Sequence, residues 1–423
     1  MKTHNSFDEQ YQFTGKIKTW SLIAIVIGVV TILAGFLTGH QQRTFSNLLL
    51  MGYYFTCACT AGVMFCAIQY AAQAGWSASI LRVPQAFGKV LPIAAAILII
   101  IIVAGLKMTH VIYVDGKPHV EPYLYARWAT ADLHVKSSGI YDSVIEGKSG
   151  YLNFPFFIIR IIGMLMIYSF FGWLLSKYSN SEDELGGMRF YNKSFVASAV
   201  FLVLFGFTVP VFAFDTIMSL EARWFSTMFG WYNLAALWVS GLSIMALVLI
   251  YLKKQGYMPW VTMDHIHNMG LFMFAFSVFW TYTWFAQFLL TYYANIPEEA
   301  AYFYRRWEPD FMVWFWLNIV VNFGAPLLVL MSRDSKRYLG TMQVMCVILI
   351  CGHWLDYFQM IAPNTINTQE RHWYWGVITW VEPGVFIGFA GLFTFLVMNA
   401  LSKFKSLAPK KHPFLEESLH HHI

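Results

Sequence analysis

Apolar residues in this chain come in long, nearly unbroken runs, not in the short amphipathic stripes of a soluble protein. A bilayer core about 30 Å thick needs about 20 mostly apolar residues in a helix. Ten stretches meet that length: 17–38, 47–73, 90–112, 153–177, 192–214, 229–252, 265–293, 310–331, 339–361 and 376–401. The first and last are almost purely apolar, whereas the middle eight carry nearly all the polar residues found inside the runs. Lipid-facing helices have no use for such groups, while helices in a bundle can pair them. The pattern predicts an all-α polytopic membrane protein of about ten transmembrane helices. A four-helix bundle over about 47–214, a second over about 229–361, and a peripheral helix at each end (17–38 and 376–401) make one transmembrane domain, 17–401. Residues 1–16 and 402–423 read as polar flanking segments.

Composition agrees with this. Of 423 residues, 58% are hydrophobic and 12% charged, with mean hydropathy +0.52, against about 25% charged in soluble domains. No cleavable signal is expected, because the first run is long enough to span and is followed by Gly39-His40 instead of small residues. The net charge of +5 is spread over the flanks of the runs and gives no support to nucleic-acid binding. Lysine and arginine are more frequent in the stretches that share a side with the termini (Lys16, Lys18, Lys253, Lys254, Arg333, Lys403) than in the long loops 113–152 and 294–309. Both termini are therefore expected in the cytoplasm and the two loops outside. The cysteines (Cys57, Cys59, Cys66, Cys346, Cys351) all sit in apolar runs without a Cys-x-x-Cys spacing, and read as small buried hydrophobes.

The most loaded stretch is 264–307. It opens on Asp264, His265 and His267, carries Gln287 within the span, and ends in the charged aromatic loop Pro297–Trp307. On the ninth run, His353 and Asp356 are three apart and share a helix face, where a carboxylate can orient and charge an imidazole. Asp215, Gln287, Asp310 and Glu382 lie near the outer ends of other runs, with Glu221 just beyond and Arg160 inside the fourth; Asn318 and Asn322 are four apart in the eighth. Three readings stay open. His353, Asp356, Asp215 and Gln287 form an outer proton or quinone region, with Asp264, His265 and His267 as an inner proton entrance. Histidines on facing helices, among His110, His265, His267, His353 and His372, ligate haem. Or the polar groups only join and cap helices. Trp280, Tyr282, Trp284, Phe285, Trp314, Trp316, Trp354 and Tyr357 are aromatics able to contact a quinone ring, or simply to pack.

Three further expectations concern the loops, the membrane surface and the continuity of the spans. Loop residues Tyr123, Tyr125, Arg127, Trp128, Tyr302, Tyr304, Arg305, Arg306 and Trp307 have the composition of a docking surface. Segment 74–89 reads as an interfacial amphipath, with Trp76, Ile80, Leu81 and Val83 in the membrane surface and Arg82 reaching headgroups. Gly206 and Pro210, and Gly324 and Pro326, are placed to break the fifth and eighth spans, as in transporters built from repeats.

Four stretches, AGWSASILRVPQAFGKVLP (74–92), FDTIMSLEARWFSTMFGWY (214–232), DHIHNMGLFMFAFSVFWTYTWFAQFLLTYYANIPEE (264–299) and HWLDYFQMIAP (353–363), resemble the membrane subunits of alternative complex III, the bacterial quinol:cytochrome c oxidoreductase, within the NrfD-like, polysulfide-reductase-type family. The ANIPEEAAYFYRRW loop is similar to the F-type subunit. Two positions depart from the family's usual pattern: Ile80-Leu81-Arg82 where a paired arginine is common, and His265-Ile266-His267-Asn268 where Asp-Leu-Gly commonly follows the first histidine. The resemblance implies a bacterial inner-membrane respiratory subunit that contributes a proton path or part of a quinol site and is not an enzyme alone. It implies no covalent cofactor, and menaquinone or ubiquinone as the bound carrier. Implied partners are a paralogous NrfD-like subunit, an iron–sulfur subunit, c-type cytochrome subunits and a terminal oxidase. A non-catalytic scaffold for those partners, and a solute transporter, are the competing classes.

Overall fold

The computed structural model describes residues 10–114, 116–366 and 377–420. Ten of its helices are long and apolar enough to cross a membrane: α1 Lys16–Leu37, α2 Gln41–Ala71, α3 Arg82–Lys107, α4 Phe154–Leu185, α5 Met188–Thr216, α6 Met228–Lys254, α7 Met263–Ala294, α8 Pro309–Leu330, α9 Leu339–Thr365 and α10 Val381–Ser402. The chain is an all-α, multi-pass membrane protein, as its hydropathy predicts. Several helices outrun their apolar stretch. The last turns of α4, for example, include Asn180, Asp183 and Glu184, because backbone hydrogen bonding carries a helix past the point where its side chains turn polar.

Helices α2 to α5 pack in a ring, α6 to α9 in a second, and the rings meet where α2 lies against α6 and α9 and α5 lies against α6. α2 is the central helix, with 94% of its apolar window buried against 22% for α1. The two peripheral helices pair along each other and lean together on α2 and α3. Glycine makes this pairing possible. A Cβ on Gly388 would stand 2.4 Å from the Gly28 Cα, and one on Gly384 would collide with Thr31. This is the close backbone approach that small residues permit between helices in lipid. Gly388→Leu is therefore expected to destabilise the detergent-solubilised protein by about 2–3 kcal/mol, since backbone cannot turn aside as a side chain can. Gly163→Leu, where a Cβ meets nothing within 4 Å, is the thermal-melting control.

Both ends of the described chain lie on one face, hereafter the terminal face. Gln10 donates to the Ser402 carbonyl at 2.7 Å, and the Tyr11 ring meets Tyr257 of the α6–α7 loop at 5.1 Å. The opposite face carries the antiparallel hairpin β1 Thr109–Val114 and β2 Lys117–Pro122, together with the helix Pro297–Trp307. Most of the loop residues expected at a docking surface are buried: Tyr123, Tyr125, Trp128, Tyr302 and Arg306 face inward, whereas Arg127 and Tyr304 are exposed. Tyr302 stacks on Trp224 at 3.7 Å and Arg306 lies 3.4 Å over the Tyr302 ring. Arg305 and Arg127 both pair with Glu221. These residues cap the bundle.

Segment 74–89 also differs from expectation. Ile80, Leu81, Arg82 and Val83 are almost wholly buried. Arg82 donates to Gln85 (2.7 Å), Asn180 (2.9 Å) and Asp183, so it joins α3 to α4 and does not reach headgroups. What covers it is the C-terminal segment, which the sequence presents as a polar flanking tail. Phe404, Leu407, His412, Leu415 and Ser418 are buried. The Lys410 amide donates to Asp183 at 2.8 Å, and Ser418 Oγ donates to the Trp76 carbonyl at 2.7 Å. Apolar residues spaced among the charges, invisible to a hydropathy window, strap this segment over the terminal face. Cys351 is the other local surprise: it is exposed, whereas the remaining four cysteines are buried.

His412 sits in ring contact with Tyr70, Tyr191 and Phe414, and burial followed by the Arg82 charge lowers its pKa from 6.5 to about 4. A depressed histidine favours the docked tail when neutral. The contribution is complete above pH 6.5 and disappears as pH falls toward 4, a change of about 3 kcal/mol. Protease cleavage within 403–420 is expected to accelerate between pH 6.5 and 4 in the native protein, and His412→Phe is expected to remove that dependence.

Candidate functional site

The polar centre of the second bundle is Asp356, fully buried on α9. Its Oδ1 accepts from the Tyr232 hydroxyl of α6 and from Asn318 Nδ2 of α8 at 2.9 Å, and its Oδ2 accepts from Trp280 Nε1 of α7 at 2.9 Å. One carboxylate thus collects a donor from each of the other three helices of its ring. Asn322 extends the chain, donating to Asn318 Oδ1 at 2.6 Å and to the Gly352 carbonyl at 2.9 Å. Gly352 is required there, because a Cβ would lie 2.4 Å from Asn322 Oδ1. Around Asn322 the backbone of α8 widens into a π turn, Val320–Gly324. Pro326 lacks the N–H that would bond to the Asn322 carbonyl, so the regular ladder cannot continue there.

The sequence expectation of a His353–Asp356 pair is corrected by these contacts. The two are on one face, but His353 Nδ1 is 3.7 Å from Asp356 Oδ2, beyond hydrogen-bond reach. Neither ring nitrogen of His353 has a hydrogen-bond partner among the described residues, and the ring instead meets Trp280 edge-on at 6.0 Å. Three stronger donors occupy the carboxylate first.

Toward the opposite face a small cavity adjoins this centre, lined by Tyr232, Gln287, Arg306, Asn318, Gln359 and Tyr302 among others, with a volume of about 20 Å³. That is room for one water molecule and far too little for a quinone ring, so the residues beside Asp356 do not fit a bound quinone. Gln287 lines this cavity, its amide donating to the Thr283 carbonyl at 3.1 Å. Arg306 lines the cavity on the side of the opposite face, held by the Tyr302 carbonyl (2.5 Å) and the Met360 carbonyl (3.2 Å). Burial raises the Tyr302 phenol pKa, the Arg306 guanidinium opposes the rise, and the Asp356 carboxylate adds to it.

Asp215 does not join this site. It belongs to the first bundle, where Arg160 of α4 clasps it through two bonds, Nε–Oδ2 at 2.8 Å and Nη2–Oδ1 at 3.0 Å. Glu382 is likewise a structural group, accepting from Arg43 and Asn47 at 2.9 Å each and from the Thr379 amide at 2.7 Å. The three residues expected at an inner entrance share no hydrogen-bond partner among the described contacts. Asp264 pairs with Arg337 at 2.8 Å. His265 is fully buried, its Nδ1 close to Thr262 Oγ1 (2.8 Å) and its Nε2 near Ser79 Oγ (3.1 Å) and Ser418 Oγ (3.2 Å) beneath the C-terminal strap. Two residues on, His267 points elsewhere, and its Nδ1 has no hydrogen-bond partner among the described residues. Of the haem candidates, His110 lies on the hairpin 3.2 Å from Glu121, and His372 lies outside the described residues.

Two features escape sequence reasoning. Tyr232 lies in one of the stretches that carry the family resemblance, yet a tyrosine in an aromatic run gives no sign of its partner. On the terminal side of the first bundle, Glu182 and Ser176 of α4 and Tyr191, Ser194 and Ser198 of α5 form a buried polar group. Their side-chain oxygens, both of Glu182's included, have no hydrogen-bond partner among the described residues. The three-to-four spacing of Tyr191, Ser194 and Ser198 is a readable signal, hidden because it lies in an apolar span. No protein-family model matches the chain, and no curated protein matches it.

Proposed function

We propose that this chain is a proton-conducting membrane subunit of a respiratory quinol:cytochrome c oxidoreductase of the alternative complex III type. The observation that carries the reading is Asp356, a carboxylate at the centre of an apolar bundle with one donor from each neighbouring helix. Intramembrane carboxylates are costly and are characteristic of proton relays. Tyr232, the water-sized cavity and Gln287 lead from it toward the opposite face, which in this reading is the outer face. The Glu182 group, whose buried oxygens call for water or a proton, supplies the terminal, cytoplasmic side. The tight cavity leaves no room for quinol beside Asp356, so in this reading that carboxylate moves protons and quinol is oxidised elsewhere. Cytochrome and iron–sulfur partners would dock on the hairpin face. The transporter class is less well supported, since of the two expected breaks α5 runs unbroken through Pro210 and α8 alone departs from regular helix.

Affinity purification of the tagged chain from its native membrane tests the assignment. The expected preparation contains covalent haem, iron–sulfur absorption and quinol-dependent cytochrome c reduction. A chain that purifies without any redox cofactor would overturn it.

A further inference from the structure

On the terminal face, α3 and α4 leave between them a groove of about 370 Å³, lined by Lys89 and Pro92 of α3 and by Trp173, Ser176, Lys177 and Asn180 of α4. Lys89 lies two turns inside the start of α3 and Lys177 two turns inside the end of α4, so both Cα atoms stand about 10 Å along the helices from their ends. Neither takes part in an ion pair among the described residues. Lys89 rests 3.3 Å over the Phe404 ring and Lys177 4.8 Å from the Trp173 ring. Arg82 is already neutralised by Asp183, and the groove's own acid, Glu184, by Lys405 at 3.4 Å. The strap adds the positive charge of Lys403 close to Lys89. One end of the groove is apolar and faces the bilayer: Trp173 is 50% exposed, and the neighbouring Phe170 and Ile93 are 51% and 46% exposed.

We propose that this groove is a binding site for an anionic phospholipid. The headgroup phosphate is bridged by Lys89 and Lys177 and accepts from the Asn180 amide, while an acyl chain lies over Pro92 and Trp173. Basic pockets between transmembrane helices suit such headgroups, and the flexible lysine stems can lift their charges to the headgroup level. The apolar end selects a lipid over a soluble phosphate.

Delipidated full-length protein in detergent, titrated with phosphatidylglycerol, cardiolipin, phosphatidylcholine or inorganic phosphate and followed by native mass spectrometry and thermal melting, tests this. Phosphatidylglycerol and cardiolipin are expected to bind and raise the melting temperature, with phosphatidylcholine and inorganic phosphate weaker. Lys89→Gln with Lys177→Gln is expected to weaken anionic-lipid binding at least about tenfold. The double arginine variant is expected to retain it, and Lys254→Gln, outside the groove, to leave it unchanged. Equal binding of phosphatidylcholine, equal binding of inorganic phosphate, or unchanged anionic-lipid binding in the glutamine variant would each overturn the proposal. The lipid-free melting temperature should change little in the groove variants, because the glutamine pair gives up only the cation–π contacts with Phe404 and Trp173.

Discussion

Asp356→Asn is expected to lower quinol-driven proton release by the assembled complex by at least about a hundredfold, the lower range for loss of a positioned acid–base group. The amide keeps the size of the carboxylate but cannot carry the proton. It also turns one acceptor into a donor facing Trp280, or facing Tyr232 and Asn318, at a stability cost of about 1.5–3 kcal/mol. The complex should still assemble. Asp356→Ala strands all three donors and should cost about 3–5 kcal/mol, enough to confuse loss of function with loss of fold. Tyr232→Phe separates relay from packing, since it removes only the hydroxyl and leaves the ring. His353→Leu should change stability little, because its nitrogens make no bond that folding must replace. Proton release measured in vesicles with a pH-sensitive dye decides between the classes. Normal release and normal quinol oxidation in the Asp356→Asn complex would leave only the scaffold reading.

The second large effect is expected at Arg160 and Asp215. Asp215 is 1% exposed and Arg160 12% by side chain, so either charge left alone is largely dehydrated. Asp215→Leu should destabilise the protein by about 3–5 kcal/mol, while Arg160→Met with Asp215→Leu should recover most of that, as replaced buried pairs commonly do. The guanidinium also lies 3.7 Å over Tyr151 and 4.2 Å over Phe156, contacts that methionine can partly keep. Denaturation of the single and double variants measures the coupling directly. If the double variant stays folded yet proton release fails, the pair has a role beyond structure.

The ten spans and the polar character of the central eight are legible in the order of residues alone. Hydropathy reports what a segment leaves behind in water, and a bilayer makes that a strict requirement. Asp356 stands out because an acid in an apolar run is expensive wherever it ends up. Its partner cannot be read the same way. Helical spacing puts His353 beside it, but Tyr232, Trp280 and Asn318 come from three other helices, and they win the carboxylate by distance. Asp215 and Gln287 look equivalent from their depths along the chain, yet one is locked to Arg160 in the first bundle and the other lines the cavity of the second.

The C-terminal strap, the burial of Arg82 and the inward-facing loop aromatics share one cause. Each depends on a surface built by residues far away along the chain, as Ser418 against Ser79 and His265, or Asp183 against Lys410. Window averages register polar ends there and cannot register what covers them. By itself, the sequence determined that this chain must live in a membrane as a bundle of helices, because its apolar runs have no other stable home. Only the tertiary structure decided which buried charges are paired for stability and which, like Asp356, sit where four helices meet beside a water-sized space, since pairing is a matter of distances between helices and not of order along the chain.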